Sequence, residues 1–298
     1  MVDHPVQDTL TSLHEALQRL QTMPLPDEGY LALQEADRSL KEVAAEMEAL
    51  SAENARLNQA VQQANLARSR FVSAVTHEIR VPMTSIKGYT DLLRQGVIGP
   101  VNEQQLNFLN TIRNNVERMS TLVSNLSDIS HIETGRLKVQ LADIYLRISL
   151  EEALNSLNLK LAEKEQTLTV DLPANLPPVR ADSIRLVQVL HNLLSNAHKY
   201  TPPKGKIAVH ASPTGSFVRV EVSDTGIGIR PEDQSLLFTQ FFRSEDPAVR
   251  EQQGWGLGLC VAKRLVDIMG GEVGVQSQVG EGSTFWFTVP VSVRRSQV

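Results

Sequence analysis

The sequence predicts an α-helical coiled coil and a dimeric four-helix bundle, followed by an α/β sandwich. Three observations predict it: a heptad repeat of apolar residues from Leu33 to Val75, a second amphipathic segment beyond a loop of helix breakers, and strands alternating with helices from about residue 144.

The composition narrows the function classes. The 298 residues leave room for two domains, or one domain and an extended helical segment. A formal net charge of −5 argues against a nucleic-acid partner, which would call for a basic face. The single cysteine, Cys260, can form no internal disulfide and no zinc cluster, and it fits a reducing, cytoplasmic compartment. No apolar run approaches the roughly 18–20 residues that span a bilayer, so no membrane segment is expected in this chain. Its start, Met1-Val2-Asp3-His4-Pro5, has neither part of a secretion signal.

The first element is a short amphipathic helix near residues 7–22, carrying Leu10, Leu13, Leu17 and Leu20. It stops at Met23-Pro24-Leu25-Pro26, where two prolines forbid its continuation. Residues 1–30 match no motif. With Leu33 at position a, the a and d residues run Leu33, Ala36, Leu40, Val43, Met47, Leu50, Asn54, Leu57, Val61, Ala64, Arg68, Phe71 and Val75. Eleven of these thirteen are apolar, enough for a coiled coil, and Asn54 at a is a polar residue that favours two strands in register. Asp37, Glu46 and Glu53 supply thin charge at e and g, and a long helix folded back on its own domain is the alternative. The helix continues to about Arg94, Gly96-Val97-Ile98-Gly99-Pro100 reverses the chain, and Leu109, Ile112, Val116, Met119, Val123 and Leu126 mark a second helix. Two such helices each leave an apolar stripe, which two copies bury as a four-helix bundle; a homodimer is therefore expected. Beyond residue 144, strands are expected at 166–172, 205–212, 216–223, 272–277 and 283–289, and helices near 149–163, 182–199 and 257–269. These segments define four regions: 1–30, a coiled coil 31–66, a helical hairpin 67–135 and the sandwich 143–293.

Four motifs carry chemistry. In the heptad frame His77 sits at c, off the seam, where a neutral imidazole is a nucleophile near pH 7, and Glu78 is the adjacent carboxylate that could orient the ring and take its proton. Pro82 removes the hydrogen bond to the Glu78 carbonyl and should bend the helix there. A lone histidine would read as a solvated side chain; His77 differs by its neighbours. Asn192 and Asn196 are four apart and share a helix face, with Lys199 and Tyr200 following, although surface asparagines would show the same spacing. Asp224-Thr225-Gly226-Ile227-Gly228 follows a strand, and an acceptor-only carboxylate there can read the adenine amine; alone, it could be a simple turn. Gly254-Trp255-Gly256-Leu257-Gly258 opens a helix, whose free N–H groups suit phosphates. Its spacing is neither that of a dinucleotide fold nor that of a Walker loop.

His77-Glu78-Ile79-Arg80-Val81-Pro82, continued by Met83-Thr84-Ser85-Ile86-Lys87-Gly88-Tyr89, resembles the H-box of sensor histidine kinases of two-component systems. The later segments, with Phe238-Thr239-Gln240-Phe241-Phe242-Arg243 between the last two, resemble the N, first glycine, F and second glycine boxes of the GHKL ATPases and their Bergerat-type ATP-binding fold. The resemblance covers residues 67–290. It implies that His77 accepts the γ-phosphoryl group of ATP, that Glu78 is the general base, and that the group then passes to an aspartate on the receiver domain of a separate response regulator. It places ATP against Asn192, Asn196, Lys199, Tyr200, Asp224, Gly226, Gly228, Gly254, Gly256 and Gly258. Asn196, alone or with Asn192, would hold Mg2+. Residues 239–255, including Gln252, Gln253 and Trp255, would form a mobile lid. Val81 stands where the family has threonine or asparagine, which implies weak phosphatase activity. Two other readings compete: another GHKL ATPase, of the DNA-repair or chaperone kind, which would lack a phosphoacceptor helix; and a non-catalytic scaffold with a degenerate nucleotide site, against which the intact boxes stand.

Overall fold

The computed structural model describes residues 4–23 and 26–292. Pro24 and Leu25 of the expected helix stop, and the last residue of the expected sandwich, lie outside the described residues. The chain divides into two compact units, one ending at Arg68 and one beginning at Ser69.

In the first unit, helix α1 (His4–Gln21) precedes the start of α2 (Asp27–Arg94). His14 of α1 lies 3.5 Å from Asp37 of α2, which also holds Lys41 at 2.6 Å. Leu50, Leu57 and Val61 of the heptad seam are exposed in the single chain, as a seam without its partner would be.

The second unit opens with a helical hairpin, the last part of α2 against α3 (Glu103–Glu133). Asn102 accepts the Gln105 N–H and Gln105 returns a bond to the Asn102 N–H, a reciprocal cap that starts α3. The buried residues of α2 are Ser69, Thr76, Met83 and Thr90, spaced by sevens. They fall one position past a in the heptad frame, so the hairpin interior and the coiled-coil seam are different stripes of one helix. Met83, Val116 and Val123 form its small apolar cluster with Ile79. The single stripe expected on α3 is thereby split: Val116 and Val123 point inward, while Ile112 and Met119 stay exposed. The Ser69 and Ser130 hydroxyls meet at 2.5 Å and each donates to the other's carbonyl, closing the base of the hairpin. α2 runs through Pro82 without a break, and the Thr84 and Ser85 hydroxyls bond back to the Arg80 and Val81 carbonyls.

The remainder is the expected sandwich. Strands β1 (Ala142–Ile144) and β3 (Val179–Ala181) form a small antiparallel pair too short to show in the sequence. The main sheet runs in the order β2 (Thr167–Asp171), β4 (Lys206–Thr214), β5 (Phe217–Asp224), β7 (Gly282–Pro290), β6 (Val273–Gln278). Only the β2–β4 pair is parallel, as its crossover through α6 (Ser183–Tyr200) requires. Alternation along β4, β5 and β7 buries Ile207, Val209, Val218, Val220, Val222, Phe285, Phe287 and Val289. Against that face lie α4 (Leu146–Asn155), α5 (Asn158–Glu163), α6 and α9 (Gly258–Ile268), bringing Leu150, Leu161, Leu190, Leu193 and Leu265 to one core. The single helix expected at 149–163 is two, because buried Leu157 closes a turn on the Leu154 carbonyl. Two short helices, α7 (Pro231–Gln234) and α8 (Pro247–Glu251), were not expected. On the open face Arg219 lies 4.0 Å over the Trp286 ring.

The hairpin docks on this sandwich through the end of α3. Ile129 joins the main core, and buried Asp128 accepts from Arg185 at 3.0 Å and Gln188 at 2.8 Å.

Candidate active site

Helix α6 organises the pocket. Asp182 caps its start by accepting the Arg185 N–H, and Leu186, Val189, Leu190, Leu193, Leu194 and Ala197 anchor its buried face. This leaves Asn192 and Asn196 on one flank, a turn apart, and Lys199 and Tyr200 at its last turn. The Asn192 side chain faces α9: a Cβ on Gly258 would stand 3.3 Å from its Oδ1, and its Nδ2 is buried with no hydrogen-bond partner among the described residues. A buried amide without a partner is a group that a ligand would satisfy. Gly258 is also the first residue of α9, so the second glycine segment brings a helix start to the carboxamide.

The first glycine segment meets the same end of α6. Asp224 closes β5 and accepts the Gly226 N–H at 2.8 Å. The Tyr200 carbonyl accepts the Ile227 N–H at 3.3 Å, and a Cβ at Gly226 would lie 2.5 Å from that carbonyl, so no other residue fits. Burial pushes the Asp224 carboxyl up from 3.8 to about 6, against the lowering effect of the Gly226 and Ser283 N–H groups. The Lys199 ammonium is pulled down by burial and then by Lys160 and Arg243. Burial, Lys164, Lys160 and Lys199 hold His198 down at about 4, hence neutral. Lys160, Lys164, Lys199 and Arg243 thus crowd the last turn of α6, a concentration of positive charge that an anionic nucleotide would offset.

Gly228 packs against the Gln278 carbonyl; Gly256, at φ +69°, packs against the Phe242 carbonyl, where a Cβ would stand 2.5 Å away. Around Gly254 there is open space. Between the glycine segments Arg243, not singled out from the sequence beyond its motif, donates to the carbonyls of Gly254, Val249 and Gln252 at 2.6–2.8 Å. The expected lid therefore has internal structure, with α8 capped by Asp246.

His77 and Glu78 lie apart from these residues, on the hairpin. Both are open to solvent, with side chains 74% and 86% exposed, and Glu78 Oε1 is 3.8 Å from His77 Nδ1. That is ion-pair range but too long for a hydrogen bond. The site residues thus form two clusters: one joined around α6, one on α2.

Two domain families coincide with these clusters. Residues 67–135 match the His Kinase A (phospho-acceptor) domain, and residues 181–293 the histidine kinase-, DNA gyrase B- and HSP90-like ATPase. The chain belongs to the sensor histidine kinases of two-component systems. It is 36% identical over 231 residues to the circadian input-output histidine kinase CikA of Synechococcus elongatus, covering 77% of this chain and 31% of that protein. It thus spans about a third of that relative's length. Full-length ShkA in complex with AMPPNP superposes with a TM-score of 0.60 at 27% identity, over 75% of this chain and 46% of ShkA. Histidine kinase ThkA in complex with response regulator protein TrrA gives 0.52 at 25% identity, over 75% and 61%. Among the described residues no helix is long and apolar enough to cross a membrane.

Proposed function

We propose that this chain phosphorylates His77 from ATP and passes the group to an aspartate of a separate response regulator. The observation that carries the proposal is a solvent-facing histidine with a carboxylate beside Nδ1, on the same chain as an ATPase-family domain in which Asn192, Asp224 and the glycine segments gather around α6. Nε2 of His77 attacks the γ-phosphorus in line, the bond to the β,γ-bridging oxygen breaks, ADP leaves, and Glu78 takes the proton from the ring. Asp224 holds the adenine amine, while Lys199 and the start of α9 face the phosphates. Neutral carboxamide oxygens suit Mg2+, which keeps waters and substrate phosphates as its other ligands. The partnerless Asn192 Nδ2 is a donor and suits a phosphate oxygen, while the carboxamide oxygen of Asn196, alone or with that of Asn192, would hold the ion. When bound, Mg2+ supplies charge neutralisation at the phosphates. The ThkA–TrrA complex supports a receiver domain as acceptor, and ATP and a single reduced cysteine suit the cytoplasm. The regions 1–30, 31–66, 67–135 and 143–293 would then serve as an N-terminal segment, signalling helix, phosphoacceptor and catalytic domain.

The test is incubation with γ-labelled ATP. An acid-labile, base-stable label that disappears in His77→Gln, with nucleotide affinity kept, is expected; a label surviving in that variant would move the acceptor elsewhere.

Val81 extends the proposal. It is 59% exposed and shares a helix face with His77, so it projects outward rather than into the hairpin. Valine can orient no water for hydrolysis of an aspartyl phosphate, so regulator dephosphorylation should be slow. Loading a regulator with phosphate and following its decay should show acceleration only with Val81→Thr; fast decay with the parent would refute this.

A further inference from the structure

The last four carbonyls of a helix have no partner inside it, and at the end of α6 they lie where the nucleotide residues cluster. Ala197 finds the Thr201 N–H at 3.0 Å, and Tyr200 finds the Ile227 N–H. The others are met by two side chains from the turn between α5 and β2. Lys164 Nζ donates to the carbonyls of His198 at 3.0 Å, Lys199 at 3.2 Å and Thr201 at 3.3 Å. Gln166 Nε2 donates to His198 at 3.1 Å, Thr201 at 2.7 Å and Pro202 at 3.4 Å. With that amide group committed to carbonyls, Gln166 Oε1 must accept, so the bond of 2.7 Å to His198 places the ring proton on Nδ1. Gln166 is buried, and the turn is fixed by Glu165 at φ 53° and by the Lys204 N–H on the Lys164 carbonyl.

We infer that Lys164 and Gln166 are positioning residues for ATP, holding the end of α6 so that Lys199, Tyr200 and the Asp224–Gly226 loop keep one geometry. Neither touches the nucleotide; both act through the α6 carbonyls, and the Lys164 ammonium also offsets the negative end of the helix. The Tyr200 carbonyl transmits the effect, because it carries the Ile227 N–H and stands against Gly226. This inference rests on the nucleotide site proposed above.

The test uses the whole chain with two readouts: equilibrium binding of a fluorescent ATP analogue, and labelling of His77 at varied ATP. Lys164→Met and Gln166→Leu should each weaken analogue binding and raise the KM for ATP by about tenfold, the loss of one or two charge-assisted or buried hydrogen bonds. The limiting rate of labelling should stay within about twofold, since no reacting atom has moved. Lys164→Arg keeps donors and charge and should restore binding. Gln166→Glu keeps the shape and the His198 bond but cannot donate to the carbonyls, so it reads the same contact should the leucine variant fail to fold. Parent-like binding in Lys164→Met and Gln166→Glu would overturn the inference, as would a lowered melting temperature with unchanged binding. A parent that neither binds the analogue nor labels would instead remove the nucleotide site itself.

Discussion

In the proposed nucleotide site, Asp224 would meet two opposing demands. Reading the adenine amine wants an ionised acceptor, while burial lifts its carboxyl to about 6. Affinity for ATP should therefore fall as pH drops through 6, and Asp224→Asn should bind weakly with a flat profile. A parent whose affinity is constant from pH 7.5 to 5.5 would take Asp224 out of adenine recognition. The sign for folding is the reverse. The folded state holds this proton where the unfolded chain has released it, between about 4 and 6, so the group favours folding at low pH and that contribution is lost as pH rises through the window. Binding and stability thus pull this residue in opposite directions, which is consistent with a group kept for its chemistry. His77, Glu78, the two asparagines and Asp224 were all legible in the sequence, because each sits in a short motif whose spacing is local. Lys164 and Gln166 were not: nothing about a Lys-Glu-Gln turn announces that it meets carbonyls more than thirty residues away.

At the scale of elements, α2 carries two jobs on two stripes. Its heptad seam was visible as periodicity, and Phe71 on that seam is 69% exposed, waiting for a partner surface. The stripe through Ser69, Thr76, Met83 and Thr90 was not visible, since three of its four members are polar and no apolar pattern marks them. Thr76, beside His77, is buried with its hydroxyl lacking a hydrogen-bond partner among the described residues. Leaving a hydroxyl in that state costs about 1–3 kcal/mol. Thr76→Val keeps the shape and removes the polar atom, so it should raise the melting temperature by a few degrees, a stabilisation of about 1 kcal/mol. A fall on thermal denaturation would mean the hydroxyl is satisfied in the assembled bundle.

For the whole molecule, the exposed apolar residues define what one copy leaves undone. Each unit leaves apolar surface exposed: Leu50, Leu57 and Val61 in the first, Phe71, Phe108, Ile112 and Met119 in the second. Two copies joined in parallel through residues 33–75 and the hairpin would bury it, and light scattering at micromolar concentration should return twice the chain mass. A monomer would contradict both the seam and the bundle. The nucleotide pocket and His77 also belong to different parts of the molecule, and the sandwich is held to the hairpin by Asp128, Arg185, Gln188 and Ile129 near the Ser69–Ser130 clasp. His77 is eight residues along α2 from Ser69, about 12 Å at the helical rise. The sequence by itself determined the order of the motifs, the two periodicities and the change from helices to a sheet, because those follow from side-chain spacing along the chain. Only the tertiary structure decided which stripe of α2 faces α3, that α6 is finished by residues from the α5–β2 turn, and that Asp128 docks the two domains. These contacts join residues far apart in sequence, and each depends on where the backbone brings a donor to an acceptor, which no local pattern encodes.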